Sequence, residues 1–225
     1  MTTPLVLAIE SATSCVGCAL GTAGGVIGST YSTRGRRHAE SLAPQIEFLA
    51  AQAGVAITDI DMVAVDIGPG LYTGLRVGIT TARAMAHTLD VPMLTVTSLE
   101  AIAHANRAGG DMVVAIDARR GEVFHASFTV NSDGTLSGTE PTVGPAEDVA
   151  ANESTRVVGD GALVYADAFA ANGLLLDIEA THLPLPDAVL EVALGRVDAA
   201  VDAATVLPLY LRRPDAVAKW EAASR

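Results

Sequence analysis

Residues 66–78, DIGPGLYTGLRVG, combine glycines, a threonine and an arginine at a spacing that could bind an anion. Backbone N–H groups in glycine-rich turns and at helix N-termini can bind phosphate. A Walker-type phosphate loop needs a lysine here, but the only lysine is Lys219, and Thr73 stands where a dinucleotide-binding loop has its third glycine. The stretch therefore predicts a tight turn at 68–70 with Thr73 capping the following helix, and anion binding at the helix tip as a minor alternative.

Small residues recur every four positions after this turn, which on a helix forms one ridge: Gly74, Gly78, Ala82 and Ala86. Each glycine inside a helix costs about 1 kcal/mol relative to alanine, so close approach of another backbone must offset the cost. The opposite side carries Leu75, Ile79 and Leu89, and a helix that is apolar all round is buried all round. One side can cover a sheet, and the other then packs on a further helix of this chain or of a partner.

Two carboxylates stand at equivalent places in a repeated pattern. The apolar run 5–10 ends in Glu10, and the run 112–117 ends in Asp117, at an offset of 107 residues that is close to half the chain. Each run leads through a polar turn into a returning strand. Such self-similarity predicts a duplicated domain, with a boundary near 107–110 and domains at 1–108 and 109–225.

The elements that position these residues can be read from hydrophobic periodicity. Strands are predicted at 5–10, 15–20, 26–33, 62–67 and 93–96, and helices at 41–54, 74–89 and 98–106, with Ser98 as a cap. The order is βββαβαβα. In the second half we predict a strand at 155–161, helices at 162–172 and 186–200, and a further apolar segment at 206–211.

Two such halves suggest an α/β protein with two tandem actin-like (ASKHA, RNase H-like) domains and a cleft between them. In that architecture the first strand–turn–strand of each half lines a nucleotide phosphate site, and the acid at the end of the first strand often works with a metal ion. The residues expected at a nucleotide or anion site are therefore Glu10, Ser11, Thr13, Gly70, Thr73 and Asp117.

Composition excludes several classes of protein. The chain has 225 residues, 50% of them hydrophobic, and a net charge of −12, so it is globular and lacks the overall basic charge of a protein that grips nucleic acid by itself. Local basic clusters occur at Arg34, Arg36 and Arg37 and again at Arg119 and Arg120. No apolar run is long enough for a membrane span and the N-terminus lacks a basic signal-peptide region, so we expect a cytoplasmic protein.

Other catalytic constellations are sparse. Cys15 and Cys18 are spaced as C-x-x-C, but three residues apart on a strand they point to opposite faces, so we expect two buried thiols rather than a metal or redox pair. The five histidines do not pair at metal-ligand spacing. No nucleophile and base stand together, which argues against a peptidase.

Five motifs resemble the TsaB (YeaZ) family in order and spacing: AIESAT, RRHAESLAPQIEFL, DIGPGLYTGLRVGITTARAMA, VPMLTVTSLEAIA and VVAIDARRGEVFHASF. The resemblance implies a non-catalytic scaffold of the machinery that makes threonylcarbamoyladenosine at A37 of tRNA. It also implies a TsaD-like transferase and a TsaE-like ATPase as partners, with tRNA contacted only through the complex. The sister TsaD family has two metal-binding histidines at positions that fall on Ser98 and Ile102 here, and many TsaB-like chains have Asp where this one has Glu10, so no metal site is implied.

The implied partner surface comprises Leu42, Ile46, Leu49, Gly74, Gly78, Ala82 and Ala86. The same helices could form a homodimer when the partner is absent. No intrinsic cofactor is expected, although ATP or ADP with Mg²⁺ could sit at a shared interface. The rival hypothesis is a nucleotide-hydrolysing or phosphotransfer enzyme that uses Glu10 and Asp117, and it predicts ATP binding by the isolated chain.

Overall fold

The first half of the chain forms a five-stranded sheet. The structure is a computed structural model that describes residues 3–33 and 38–212. Its first elements are β1 (Val6–Glu10), β2 (Val16–Thr22), β3 (Gly25–Ser32), α1 (His38–Ala53), β4 (Met62–Asp66), α2 (Tyr72–Leu89), β5 (Met93–Val96) and α3 (Ser98–Ala105). The strand order is β3-β2-β1-β4-β5. The predicted order βββαβαβα is confirmed.

The second half repeats this topology. It comprises β6 (Met112–Arg119), β7 (Glu122–Val130), β8 (Leu136–Gly138), β9 (Thr142–Pro145), β10 (Arg156–Val158), α4 (Asp160–Val164), α5 (Ala166–Ala171), β11 (Leu175–Leu176) and α6 (Pro186–Leu194). Its sheet runs β11-β10-β6-β7-β8, with β9 paired to β7. In each half the first strand is antiparallel to the second and parallel to the strand after the hairpin region, β4 or β10. The α/β class and the two tandem actin-like domains are as predicted.

Helix α6 crosses back to the first sheet. Its buried residues Ala188, Val189, Leu190 and Ala193 share a core with Val6, Ala8 and Ala19 of β1 and β2. The predicted division assigns this segment to domain 109–225 because it follows the second repeat in sequence. Packing instead associates it with the first domain, so the two halves are joined by more than the linker.

Helices α1 and α2 cover the other face of the first sheet. Leu42, Ile46 and Leu49 of α1 and Leu75, Ile79, Ala82 and Ala86 of α2 lie in one buried core with β1, β2 and β4. Gly74 and Leu75, predicted on opposite sides of the helix, are both buried. Consecutive residues are about 100° apart around a helix, so one wide face can include both. The ridge and the leucine side are therefore one wide inner face. The outer residues Tyr72, Thr73 and Arg76 are exposed, so α2 is not apolar all round.

The glycine ridge packs against the turn between β1 and β2. A methyl group at Gly74 would overlap the carbonyl oxygen of Ser11, and one at Gly78 would overlap the Ser11 hydroxyl. At Gly70 it would overlap the carbonyl oxygen of Ala12. The close backbone approach inferred from the glycines is real, but the approaching backbone belongs to this chain.

The interface prediction is therefore corrected. All of its residues, Leu42, Ile46, Leu49, Gly74, Gly78, Ala82 and Ala86, are buried inside the chain. Small and aliphatic side chains mark the face a helix buries, but sequence alone does not say against what. A partner can reach these helices only through their outer faces.

Several element boundaries also differ from the predictions. Helix α1 begins at His38, so Pro44 lies inside it. Helix α2 begins at Tyr72 after Leu71, whose side chain makes no capping hydrogen bond, and Thr73 is an exposed residue of its first turn. Thr97, not Ser98, caps α3 through a reciprocal capping box with Glu100. Helix α6 ends at Leu194 rather than near 200.

Substituting Gly74→Ala should destabilise the fold, because the new methyl must displace the backbone of the β1–β2 turn. Overpacking of this kind costs about 1–3 kcal/mol, which exceeds the gain of about 1 kcal/mol from the better helix former. Urea unfolding followed by circular dichroism measures the change in free energy. Gly144→Ala is the control, since nothing lies within 4 Å of a methyl there. An equally stable Gly74→Ala variant would contradict the proposed tight contact.

Candidate functional site

The β1–β2 turn and the start of α2 form one hydrogen-bonded unit. The Leu71 N–H donates to the Ala12 carbonyl at 2.6 Å. The Ser11 hydroxyl donates to the Gly74 carbonyl at 2.8 Å. Thr13 is buried in the same turn and accepts from the Cys15 N–H. Of the predicted anion-site residues, Ser11, Thr13 and Gly70 thus come together, and the turn is in contact with the helix along its length.

Glu10, at the end of β1, lies beside a second buried carboxyl, that of Asp66 at the end of β4. Both are almost completely inaccessible to solvent. Glu10 Oε1 accepts from the Ala12 N–H at 2.8 Å. Asp66 Oδ1 accepts from the Gly68 N–H at 2.7 Å and from the Ser98 hydroxyl at 2.8 Å. In each carboxyl, one oxygen therefore accepts hydrogen bonds from nearby residues.

The remaining oxygens of the two acids have no donor from any other described residue. Glu10 Oε2 and Asp66 Oδ2 are buried, and neither has a hydrogen-bond partner unless one of the two acids is protonated. Burial, together with the neighbouring Asp66 charge, raises the pKa of Glu10 well above 4.5. Burial also raises the pKa of Asp66, while the hydrogen bond from Glu10 opposes that rise. Glu10 therefore carries the shared proton and donates it to Asp66, as expected when two carboxyls share a dry site.

Asp66 was missed by the sequence analysis, although a signal for it exists. β1 and β4 are adjacent parallel strands, with Ile9 paired to Val65. Their carboxyl ends lie at one edge of the sheet, where Glu10 and Asp66 are the next residues. An acid at the end of each of two parallel neighbours could therefore have been paired from the sequence.

The second half has an equivalent pair of acids, held differently. Asp117 lies two residues before the end of β6 and Asp160 follows β10, and Asp160 Oδ1 accepts from the Asp117 N–H at 3.0 Å. Asp117 accepts from the Arg119 N–H and from the Tyr165 hydroxyl, and forms an ion pair with the Arg119 side chain at 2.8 Å. Burial raises the pKa of Asp160. The side chain of Asp117 is thus turned to an arginine rather than to a second acid.

A cleft of about 280 Å³ lies between the halves. Gly70 and Asp117 line it, together with Tyr72, Arg119 and Tyr210. Glu10 does not line it, because it is enclosed beneath the β1–β2 turn. Thr73 lies on the outer face of α2. The predicted pairing of Glu10 and Asp117 across one site is therefore wrong: their side chains do not share a pocket.

The positions aligned with the sister family's histidines hold core residues. Ser98 and Ile102 are fully buried, and the Ser98 hydroxyl is engaged with Asp66. Cys15 and Cys18 are free and buried as predicted, and burial raises the pKa of each thiol to about 12. Across residues 3–33 and 38–212, no group of three or more His, Cys, Asp or Glu side chains could hold a metal ion.

Two expectations concern the rest of the surface. The basic cluster Arg34, Arg36 and Arg37 lies outside the described residues. No helix in the described part of the chain is both long enough and apolar enough to cross a membrane.

Glu10→Gln should make stability less dependent on pH. The folded chain holds the Glu10 proton above 4.5, where the unfolded chain releases it, so wild-type stability falls as pH rises through that window. Glutamine can accept from Ala12 and donate to Asp66 without ionising. Urea unfolding should therefore show that the free energy of unfolding of the variant, relative to wild type, is higher at pH 9 than at pH 5. Glu153→Gln, at an exposed position, should track wild type. Parallel pH curves for Glu10→Gln and wild type would exclude the shared proton.

Comparison with known proteins places this arrangement in a family. Residues 22–152 match the model of the TsaD family, described as tRNA N6-adenosine threonylcarbamoyltransferase. The TsaB protein of Bacillus subtilis, a tRNA threonylcarbamoyladenosine biosynthesis protein, is 30% identical over 96% of this chain and 97% of its own length. An uncharacterized protein of Mycobacterium tuberculosis (strain H37Rv) is 37% identical over 94% of this chain and 93% of its own.

A solved structure gives the same result in three dimensions. YeaZ from Pseudomonas aeruginosa is 31% identical, with a TM-score of 0.82 over 92% of this chain and 100% of that chain. Sequence and fold thus agree over nearly the whole length, and the chain belongs to the TsaB (YeaZ) family.

Proposed function

We propose that this chain is a non-catalytic subunit of a complex that makes threonylcarbamoyladenosine in tRNA, where it binds and supports a TsaD-like transferase. The names of its full-length relatives support the pathway. One structural observation supports the non-catalytic role: the N-terminus of α2 fills the β1–β2 turn, where an actin-like enzyme would hold phosphate. The Leu71–Ala12 and Ser11–Gly74 hydrogen bonds would have to break before an anion could enter.

The buried acids support the same proposal. A carboxylate that holds a catalytic metal must be ionised and must reach the ion. Burial and the neighbouring Asp66 charge raise the pKa of Glu10, which disfavours its ionised form, and the side chain is sealed from solvent. Replacing the usual aspartate by a longer glutamate thus accompanies an internal hydrogen bond rather than an open ligand.

The outer faces of α1 and α2 supply the partner surface in this proposal. A shallow groove of about 460 Å³ is lined by Ala39, Tyr72, Thr73, Arg76, Val77, Thr80 and Thr81. On α1, Phe48 is 59% exposed, the largest apolar side chain that this helix presents to solvent. Aromatic and arginine side chains on a scaffold with a fixed inner face suit a protein interface. The proposal has three further parts. The same groove forms a homodimer when the transferase is absent, a TsaE-like ATPase joins the complex, and ATP or ADP with Mg²⁺ binds at a shared interface.

A second candidate function is nucleotide binding in the cleft between the halves, favoured by Gly70 and Asp117 facing the same space. The cleft volume of about 280 Å³ lies just below the range of about 300–1,000 Å³ of small-molecule sites. Calorimetry of the isolated chain with millimolar ATP and Mg²⁺ separates the two candidates. Measurable heat of ATP binding would favour a nucleotide-binding enzyme. No measurable heat would favour the scaffold.

Reconstitution tests the main proposal directly. The transferase and ATPase partners should form threonylcarbamoyladenosine on a tRNA transcript at a substantially higher rate when this chain is present than when it is omitted. Glu10→Gln should support the same rate as wild type, since the proposal gives Glu10 no part in chemistry. Full activity without the chain would refute the supporting role, and loss of activity in a folded Glu10→Gln variant would refute the non-catalytic one.

Thr80→Arg should weaken the heterodimer, because a long charged side chain then fills the α1–α2 groove. We expect at least about a tenfold rise in Kd, equivalent to about 1.4 kcal/mol, by interferometry with the transferase. Thr88→Arg is the matched control: it is exposed on the same helix, and its residue lies eight positions, or about 12 Å, further along. Equal affinities for Thr80→Arg and wild type would place the interface elsewhere.

A further inference from the structure

The segment 206–212 crosses from the first half of the chain to the second. Val206 is buried in the core that α1 and α2 form on the first sheet. Leu211 packs against the core that consists largely of β6 and β7 residues. Arg212 Nη1 donates to the Ala118 carbonyl, also on β6, at 2.8 Å. We call residues 206–212 the strap, because its two ends are fixed on different halves.

Tyr210 lies between these two ends and contacts the start of α2. Its ring stacks on that of Tyr72, with the ring centroids 5.0 Å apart. Its hydroxyl accepts a hydrogen bond from Arg76 Nε at 3.2 Å. The Arg76 guanidinium in turn lies 4.0 Å from the Tyr72 ring centroid. The three side chains therefore contact one another, although Tyr210 is 134 residues from Arg76 in sequence.

Two of these three residues belong to the α1–α2 groove. Tyr72 and Arg76 line it. Tyr210 does not line the groove and meets them from the cleft between the halves. All three side chains remain accessible: Arg76 is exposed, and the tyrosines are 38% and 39% exposed. A residue of the strap thus supports two side chains of the groove without closing it to solvent.

The contacts of Arg76 determine how much freedom its side chain has before a partner binds. A free arginine side chain samples many rotamers, and losing them on binding opposes association. The hydrogen bond to Tyr210 and the contact with the Tyr72 ring hold the Arg76 guanidinium in one place. Less freedom is then lost when a partner binds, which raises affinity. Arginine and tyrosine are also enriched among the residues that dominate the binding free energy of protein interfaces.

We propose that Tyr210 is a positioning residue for the partner surface, which fixes Arg76 and Tyr72 in the α1–α2 groove for binding of the transferase. The inference rests on the proposed function, which supplies the groove and its partner. Every residue that lines the groove belongs to the first half of the chain. The strap is anchored on both halves, so the second half contributes to this surface through Tyr210 without lining it.

Tyr210→Phe tests the proposal, because it keeps the stacked ring and removes only the hydroxyl that accepts from Arg76. Interferometry with the transferase measures Kd for the full-length chain. Ordering one flexible side chain on binding weakens affinity by about two- to tenfold, so Kd should rise by that factor. Tyr31→Phe is the matched control, since Tyr31 is an exposed tyrosine on β3 that does not line the groove. Its Kd should equal that of wild type.

A double-mutant cycle shows whether Tyr210 acts through Arg76. Arg76→Met keeps an unbranched side chain and removes the donor to Tyr210. Arg76→Met/Tyr210→Phe should therefore bind about as tightly as Arg76→Met alone, because the hydrogen bond between the two side chains is lost in both. Additive effects of the two substitutions would overturn the positioning role. So would a Tyr210→Phe variant with wild-type Kd and a lower free energy of unfolding in urea, since the hydroxyl would then serve stability alone.

Failure of the proposed function gives a different pattern. If wild type does not bind the transferase, or if Thr80→Arg binds it as tightly as wild type, the groove is not the partner surface and both proposals are wrong. If Thr80→Arg weakens binding and Tyr210→Phe does not, the groove remains the partner surface and only the role of Tyr210 is wrong.

Discussion

The contact between the β1–β2 turn and the first turns of α2 determines much of this structure. Glycine at positions 70, 74 and 78 lets two backbones meet where any side chain would collide. Because the turn and helix touch, α2 is anchored with one face on the sheet and the other towards solvent. The same contact occupies the place where an actin-like enzyme would hold phosphate. The contact that packs α2 on the sheet is therefore the same contact that closes the β1–β2 turn to phosphate.

The proton shared by Glu10 and Asp66 is a second consequence of this closure. Two carboxyls at the ends of adjacent parallel strands would repel each other if both ionised in a site without water. Sharing one proton removes the repulsion, and backbone donors from Ala12 and Gly68 satisfy the outer oxygens. In the second half the corresponding acid, Asp117, faces an exposed arginine instead. The duplicated halves thus diverged at the same strand end, one closed and one open to the cleft.

The net charge of the chain does not show where its basic side chains lie. A value of −12 argues against a protein that grips nucleic acid by itself. Folding nevertheless brings arginines from α2, the β6–β7 hairpin and the segment after α6 to one cleft. Residues 76, 119 and 212 are far apart in sequence, so this concentration arises only from the tertiary structure.

The sequence by itself determined the α/β class, the element order, the repeat and the family, because periodicity, turn residues and motif spacing are local signals. It also indicated that the glycines of α2 mark close backbone approach. Only the tertiary structure decided what they approach. Gly74 and Ala82 pack against the chain's own turn and sheet rather than a partner, Asp66 joins Glu10, and α6 returns to the first sheet. The physical reason is that the type of a side chain indicates whether it is buried. The surface that it packs against depends on how segments distant in sequence meet in the fold.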